Sequence, residues 1–233
     1  MKKIIYLFFL LAVLASCRHR TGSGNIISQT RTTGSFDGVS VGGGFEVEIK
    51  IGTTTSVVVE ADDNIMEYIE TRVSGNTLKI NTEDMNNYSD VHMKVFITTP
   101  AIKRIKASAA AEVDVQDVLT STDELTFGTS SGASIRAEVD APGISADASS
   151  GASVKLNGKT KTYNAQASSG GEIRSGDLLS ENATVSVSSG ASANVHASVN
   201  LNATASSGGS IRYRGAGTVI KSESSGGSVS KSD

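Results

Sequence analysis

A short phrase, Ser-Ser-Gly followed by Ala or Gly, recurs six times between residue 130 and residue 233. Its period of 18–20 residues is too short for one copy to bury its own apolar face, so the copies must stack as turns of a coil. Such a stack presents ladders of similar side chains, whereas an enzyme site needs different residues converging on one point. The first serines of the copies are Ser130, Ser149, Ser168, Ser188, Ser206 and Ser224.

Apolar residues occupy every second position around each phrase, with polar residues between them. This alternation is typical of β-strands with one face inward, and disordered Ser/Gly tracts, the alternative for this composition, lack it. The sequence therefore predicts an all-β fold, a right-handed parallel β-helix (β-solenoid) with about 18–20 residues per turn and glycines at the corners. The inward columns are Leu125, Ile144, Tyr163, Ala183, Leu201 and Val219; Phe127, Ala146, Ala165, Val185, Ala203 and Lys221; and Ile135, Val154, Ile173, Ala193, Ile211 and Val229.

The first seventeen residues have the pattern of an export signal. Lys2 and Lys3 precede an apolar run of about a dozen residues, and Leu14-Ala15-Ser16-Cys17 resembles the lipobox of bacterial lipoproteins. Cys17 is the only cysteine of the chain, so it has no partner for an internal disulfide, and lipidation explains its presence. The alternatives are an uncleaved anchor and an ordinary cleaved signal. We predict a lipoprotein signal peptide over residues 1–16 and a lipid anchor on Cys17.

The charge of the mature chain is modest. Removing residues 1–16 takes away two lysines and no acid, which leaves 19 basic and 24 acidic residues, a net charge of −5 with His neutral. That balance argues against a general polyanion binder, and we expect no nucleic-acid partner. Residues 17–35 are polar and carry Gly and Ser, so the lipid anchor is expected to continue into a flexible tether.

Residues 36–106 differ from the repeat region, because they contain more bulky apolar residues, which alternate with polar ones as in β-strands. We predict an irregular β-rich N-terminal half here, which closes the end of the Ser-Ser-Gly solenoid at residues 107–233. Within it, Gly42-Gly43-Gly44 marks a bend. A short helix capped by Asp62, Asp63 or Asn64 is expected to place Ile65, Met66 and Ile69 on one face. Ser108–Ala111 is interpreted as a degenerate first copy of the phrase.

Four stretches resemble the head GIN domain family, whose members are labelled auto-transporter adhesins and form a domain of unknown function. The resemblance spans about residues 22–233. It implies an exported β-helical protein of a Gram-negative cell envelope, and it supplies no functional residues. The stretches are Gly22–Asn25, Phe36–Ile49, Val59–Asn64 and Gly75–Ile80.

The patterns that suggest chemistry have simpler explanations. Gly128-Thr129-Ser130-Ser131-Gly132 matches the nucleophile elbow G-x-S-x-G, but it is one copy of a repeat, and a strand-to-helix turn is required. The histidines His19, His92 and His196 are isolated, so a zinc site is not expected. The acidic cluster Glu60, Asp62, Asp63, Glu67 and Glu70 lacks the spacing of calcium loops and is interpreted as a solvated helix start. We predict no catalytic residues, no metal site and no cofactor.

Two outward ladders are candidate binding faces. Arg136, Lys155, Arg174 and Arg212 would stack one strand apart, interrupted by Asn194, as a basic stripe that tracks an anionic glycan; the alternative is a solvated stripe that discourages edge pairing. The second ladder is compatible with binding sugars or ice, and equally with ordinary outward residues of a β-strand; it lacks the exposed aromatic residues of most sugar-binding platforms. It consists of Thr126, Ser145, Asn164, Thr184 and Asn202.

The sequence therefore predicts an exported, lipid-anchored envelope β-solenoid that binds or adheres to glycans or surface partners without catalysis. The first alternative is a structural scaffold lipoprotein of the periplasm, and a polysaccharide-processing enzyme is a further one. Arg18, rather than Asp, follows Cys17, which is compatible with sorting to the outer membrane. Whether the protein faces the periplasm or the cell surface is left open by the sequence.

Overall fold

Strands dominate the computed structural model, which describes residues 18–83, 86–215 and 217–232. Alternate residues are buried along them, as in β9, so the apolar residues predicted to point inward form the core. The one helical element of these ranges is the 3₁₀ turn Met66–Tyr68. The strands of the first half are β1 (Arg18–Thr21), β2 (Ile26–Arg31), β3 (Gly38–Gly42), β4 (Glu46–Ile51), β5 (Ser56–Asp62), β6 (Ile69–Ser74), β7 (Thr77–Thr82), β8 (Asn86–Ser89) and β9 (Met93–Thr99).

The second half winds into a parallel β-solenoid of about seven turns, which confirms the predicted fold class. Its strands are β10 (Arg104–Ser108), β11 (Glu112–Val115), β12 (Leu119–Thr120), β13 (Leu125–Thr129), β14 (Ser134–Ala148), β15 (Ser153–Ala167), β16 (Glu172–Ser175), β17 (Leu178–Val187), β18 (Ser192–His196), β19 (Asn200–Ala205), β20 (Ser210–Arg214), β21 (Thr218–Glu223) and β22 (Ser228–Lys231). In each turn two strands flank a tight corner at the Ser-Ser-Gly phrase, as β13 and β14 do.

The N-terminal half belongs to the same stack. Strand β3 pairs in parallel with β10, placing Val39 beside Ile105, and β4 pairs in parallel with β11, placing Val47 beside Val113. The buried apolar residues of both halves form one core cluster. The boundary expected between residues 106 and 107 falls inside β10, which pairs with β3 on one side and β13 on the other, so packing is continuous there.

Each Ser-Ser-Gly corner is a type I′ β-turn. Ser131 and Gly132 have positive φ values of 52° and 75°, and the Ala133 amide donates to the Ser130 carbonyl at 3.2 Å. A type I′ turn needs two residues at positive φ, and glycine at the second accepts this without strain. Ala109 and Ala110, with φ values of 50° and 62°, make the same turn, which confirms the degenerate copy at Ser108–Ala111.

The Gly42-Gly43-Gly44 bend is a further corner of this column. Gly43 and Gly44 also have positive φ values, of 93° and 72°, and the Gly44 amide donates to the Ala109 carbonyl at 2.9 Å. The column of corners therefore begins before the first Ser-Ser-Gly phrase, in the N-terminal half.

The three inward columns lie in register as predicted. Leu125, Ile144 and Tyr163 occupy equivalent positions on successive strands and are buried. Tyr163 is fully buried, and its hydroxyl has no hydrogen-bond partner of normal geometry among the described residues. Burial raises the pKa of the Tyr163 hydroxyl well above its usual range, and the nearby Ser175 hydroxyl offsets only part of this.

Antiparallel strands close the N-terminal end of the stack. Strand β5 runs antiparallel to β9, β2 adds to β5, and β6 runs antiparallel to β7. Strand β1 pairs with β8 in a separate two-stranded sheet. The flexible tether expected over residues 17–35 is therefore wrong for residues 18–21 and 26–31, because their backbone groups pair with β8 and β5.

The expected helix near residue 65 is reduced to the 3₁₀ turn at Met66–Tyr68. Ile65 stands at its start without a side-chain cap. Asp62 is instead buried, at 1 % exposure, and its carboxylate accepts hydrogen bonds from the amides of Gly24 and His92, each at 2.7 Å. The acidic residue expected to cap a helix thus fixes the N-terminal segment to the end of the solenoid.

The C-terminal end carries charge where most earlier turns carry alanine or valine. Lys221 follows Ala203 in a column predicted to point inward, but its side chain is exposed, and its Nζ lies 3.7 Å from Oε2 of Glu223. Oε1 of Glu223 accepts a hydrogen bond of 2.6 Å from the Val229 amide. A charged pair at this position makes this end a poor surface for another strand layer.

Candidate functional site

The basic stripe forms as predicted in register. Arg136, Lys155, Arg174, Asn194 and Arg212 are partners on successive parallel strands of one side of the solenoid. Neighbouring strands are about 4.8 Å apart, so Lys155 and Arg212, three strands apart, are separated by about 14 Å along the stack. The structure thus brings the four basic residues into one line on the surface.

Two members of the stripe are engaged by acidic neighbours. The Arg174 guanidinium donates from Nε and Nη2 to the Glu172 carboxylate at 2.7 and 2.6 Å. This bond raises the pKa of Arg174 and lowers the pKa of Glu172. Nη1 of Arg136 lies 4.0 Å from Oδ2 of Asp114, a looser pair. These carboxylates offset part of the positive charge of the stripe.

The other two members, Lys155 and Arg212, are exposed and form no ion pair with any residue of the described ranges. Both line a shallow groove of about 340 Å³, together with Arg174 and Asn194. Arg214 also lines the groove, and its Nη1 lies 3.5 Å from Oδ1 of Asp177. The sequence pattern did not predict this ion pair. The groove offers two free cations and several amide and guanidinium donors, the groups that bind carboxylates, sulfates or phosphates.

A smaller recess of about 270 Å³ continues the surface toward the N-terminal end. It is lined by Arg136 and Lys155 and by the acidic residues Asp114, Asp117 and Glu138. The recess has both positive and negative side chains, so the more positive part of the stripe is the part nearer the C-terminal end of the solenoid. The groove at Lys155 and Arg212 is therefore the candidate site.

The polar ladder also lies in register, from Thr126 through Ser145, Asn164 and Thr184 to Asn202. Beside it runs a groove of about 290 Å³ lined by serines of the corner column and by Asp147, whose pKa partial burial raises. Tyr163 points into the core, as expected, and adds no aromatic platform. This face supplies neutral donors and acceptors, a weaker basis for selective binding than free cations.

The features that suggested chemistry have structural roles. Ser130 opens a β-turn that leads into strand β14, and a nucleophile elbow leads into a helix instead. Asp63 accepts hydrogen bonds from Ser23 at 2.6 Å and Asn25 at 2.8 Å, which lower its pKa. The described part of the chain holds no group of three His, Cys, Asp or Glu side chains arranged to bind a metal.

The fold and a lipid attachment site define the class of protein as a lipid-anchored β-solenoid. Residues 1–17 match the pattern of a prokaryotic membrane lipoprotein lipid attachment site. These residues lie outside the part of the chain that the structure describes. Among the described residues no helix has the length and apolar character to cross a membrane. The attachment site thus supports anchoring to a membrane by lipid in the cell envelope.

Residues 35–217 match the family described as "Putative auto-transporter adhesin, head GIN domain". The chain belongs to this family, which confirms the resemblance found in the sequence. No curated protein matches the chain significantly.

Solved structures share the fold at low identity. A protein from Bacteroides fragilis, described as an adhesin, has a TM-score of 0.82 and 22 % identity, covering 91 % of this chain and 98 % of that one. One from Parabacteroides distasonis, described as lipid binding, has a TM-score of 0.71 and 18 % identity, covering 93 % and 100 %. Another protein from P. distasonis, described as a "putative adhesin", has a TM-score of 0.74 and 21 % identity, covering 92 % of this chain and 100 % of that one.

Proposed function

We propose that this protein is a non-catalytic binding module of the cell envelope, anchored through Cys17, that holds an acidic glycan along the basic stripe. The observation that carries this proposal is the pair of free cations, Lys155 and Arg212, over one groove. An extended chain with repeated carboxylate or sulfate groups can touch both cations at once. The descriptions of the family and of the structural neighbours as adhesins or binding proteins support the class of function.

The strength of such binding comes from several weak contacts. An exposed ion pair contributes roughly 0.2–1 kcal/mol and is screened by salt. A polymer that touches two or more turns adds these contributions, whereas a single sugar acid gains one of them. We therefore expect micromolar or weaker affinity for polymers, a steep loss with salt, and little binding of monosaccharides.

Charge reversal tests the proposal directly. The double variant Lys155→Glu/Arg212→Glu is expected to weaken binding of heparin and polygalacturonate, used as model acidic glycans, by about tenfold, corresponding to roughly 1.4 kcal/mol. The matched control is Lys50→Glu/Lys161→Glu, which has the same net charge and changes exposed lysines away from the stripe. Isothermal titration calorimetry at low salt measures all three proteins.

Two results would overturn the glycan proposal. If both double variants weaken binding equally, net charge and not the stripe determines it. If the wild-type protein binds no acidic glycan at low salt, the scaffold role in the periplasm is the better account. An unchanged thermal melt for each variant shows that the fold is intact.

We further propose cleavage of residues 1–16 as a signal peptide and residence of the mature lipoprotein in the outer membrane. Arg18 after the lipidated cysteine, in place of Asp, supports this sorting. Adhesion to partners outside the cell also requires surface exposure. Protease treatment of intact cells, followed by immunoblotting, should degrade the protein if it is exposed, and full protection would restrict its partners to the periplasm.

The proposal excludes polysaccharide cleavage as the main activity. A lyase or hydrolase built on a β-helix needs carboxylates or a cation within its groove, in addition to basic residues. Asp177 is the one carboxylate lining the candidate groove within the described residues, and it pairs with Arg214. Incubation with polygalacturonate should release no new reducing or unsaturated ends, and release that Asp177→Asn abolishes would establish an enzyme.

A further inference from the structure

The position of the lipid attachment site relative to the first strand restricts how the domain sits on a membrane. The attachment pattern ends at Cys17, and β1 begins at Arg18, paired with Asn86 of β8. Consecutive Cα atoms are 3.8 Å apart, so no spacer separates the lipidated residue from the folded domain. We propose that the N-terminal end of the solenoid rests on the lipid bilayer, with the solenoid standing on this end and its C-terminal end pointing away.

The segment after the anchor is held firmly to the N-terminal end of the stack. The Gly24 amide donates to the buried Asp62 carboxylate at 2.7 Å, and the Asn64 side-chain amide donates to the Thr21 carbonyl at 2.9 Å. The Ser23 hydroxyl donates to Asp63 at 2.6 Å. Releasing this segment would leave the Asp62 carboxylate buried without its partners, which is costly. The anchored end therefore cannot swing far from the lipid.

The same end exposes an apolar pair that suits a lipid interface. Strand β2 follows the anchored segment and pairs on one edge with β5. Ile26 and Ile27 of β2 are 45 % and 40 % exposed, and they are among the few large apolar side chains exposed in the described chain. Burial of such side chains in a bilayer interface is favourable because it removes apolar surface from water. Contact with lipid covers a surface that no other described element covers.

Charge does not drive this contact. The sequence next to the anchor carries Arg18 and Arg20, but five acidic residues belong to or adjoin the elements at this end of the stack, so attraction to anionic lipid is weak. The acidic residues are Glu60, Asp63, Glu67, Glu70 and Asp90. The acyl chains on Cys17, together with Ile26 and Ile27 a few residues further along the chain, hold the end at the membrane surface. The orientation is therefore expected to be the same on zwitterionic and anionic bilayers.

The opposite end lies far from the anchor. Eight strand-to-strand steps lead from β7 to β21, through β3, β10, β13, β14, β15, β17 and β19. At about 4.8 Å per step the two ends are about 38 Å apart. Ile220, which is 68 % exposed on β21, marks the far end.

Single tryptophan reporters test this orientation, because the chain contains no tryptophan. We suggest Ile27→Trp as the near reporter and Ile220→Trp as the matched far reporter, each in the full lipidated protein reconstituted into phosphatidylcholine vesicles. Energy transfer from tryptophan to dansyl-labelled lipid headgroups reports the distance to the surface. The near reporter should transfer efficiently and the far reporter at least severalfold less, with or without 20 % phosphatidylglycerol.

The alternatives give different patterns. Equal, efficient transfer from both reporters would mean that the solenoid lies on its side, and weak transfer from both would mean that it is held away from the membrane; either result overturns the proposal. Ile26→Trp serves as a second near reporter if Ile27→Trp melts at a lower temperature. The Cys17→Ser forms give the background. The measurement contains no glycan, so its outcome is independent of the proposed binding function.

Discussion

The Gly151 amide donates a hydrogen bond of 3.1 Å to the carbonyl oxygen of Ser169, in the corner of the next turn. Equivalent bonds link the corners from Gly44 and Ala109 at one end to Gly208 and Ser225 at the other. The positive φ values of the serine and glycine direct this amide along the stack instead of back into its own turn. The repeated phrase is therefore a column of backbone hydrogen bonds, and its backbone conformation matters more than its side chains.

Substitution of Gly151 by valine tests the corner conformation. Gly151 has φ of +72°, and a Cβ atom built there meets no atom within 4 Å, so the cost comes from the backbone and not from a clash. A β-branched residue in this region is strained, and we expect a loss of about 1–3 kcal/mol in the free energy of unfolding, measured by urea titration. The control is Gly34→Val, at an open position without positive φ. Equal, small effects from both substitutions would show that the corner is not strained.

Tyr163→Phe is expected to leave stability unchanged or to raise it by about 1 kcal/mol. The buried hydroxyl lacks a hydrogen bond of normal geometry among the described residues, and its removal takes away an unsatisfied polar group. The contrasting variant is Ser175→Ala, because the Ser175 hydroxyl donates to the Asn194 carbonyl at 2.9 Å and its loss should cost about 1 kcal/mol. If thermal melts show that Tyr163→Phe is clearly destabilised, the hydroxyl has a partner such as a buried water.

Lys221→Ala should promote association of the solenoid through its C-terminal end. The substitution continues the inward column of Ala203 and removes the charge beside Glu223 that opposes another strand layer. Light scattering after size-exclusion chromatography should show a larger, concentration-dependent mass. Lys231→Ala, at an exposed position of the same turn, should leave the mass unchanged. A Lys221→Ala protein with the mass of the wild type would show that this charge does not protect the end.

Cys17→Ala should move the protein from the membrane to the soluble fraction without unfolding it. The residue precedes the first strand and is matched as part of the lipid attachment site, so the change removes the acyl chains and alters no residue of the described fold. Cell fractionation and the melting temperature of the soluble variant measure the two effects. Retention of the variant in the membrane fraction would contradict lipid anchoring at this residue.

The period of the Ser-Ser-Gly phrase predicted the parts of the molecule in which each turn resembles the next. The inward columns and the stripe from Arg136 to Arg212 follow from a fixed period and alternation, so they could be placed by counting. The Gly42–Gly44 corner was harder to place, because the excursion through β5–β9 separates it from Ser108. Its equivalence rests on pairing between β3 and β10, which no local pattern encodes.

Other parts depend on contacts between segments with unlike sequences. Residues 18–31 have the composition of a tether, yet they contain β1 and β2, which pair with β8 and β5. Asp62, Asp63 and Asn64 supply further partners for residues 21–25. The pairing of Arg214 with Asp177 joins two turns at positions outside the aligned phrase. The phrase is followed by alanine in three copies and by glycine in three. A Cβ on Gly171 would lie 2.3 Å from the Ala148 carbonyl oxygen, a constraint that only the structure reveals.

The corner bonds also make the protein divisible into whole turns. Each corner contacts the corners directly before and after it, so deleting one complete period of 18–20 residues would leave every remaining turn with neighbours of the same kind. The specialised ends, with β2 and β6 at one and Lys221 at the other, would be untouched by such a deletion. The molecule would simply become shorter by one strand spacing, about 4.8 Å. Its height is thus a quantity that duplication or loss of a single gene segment can change in fixed increments.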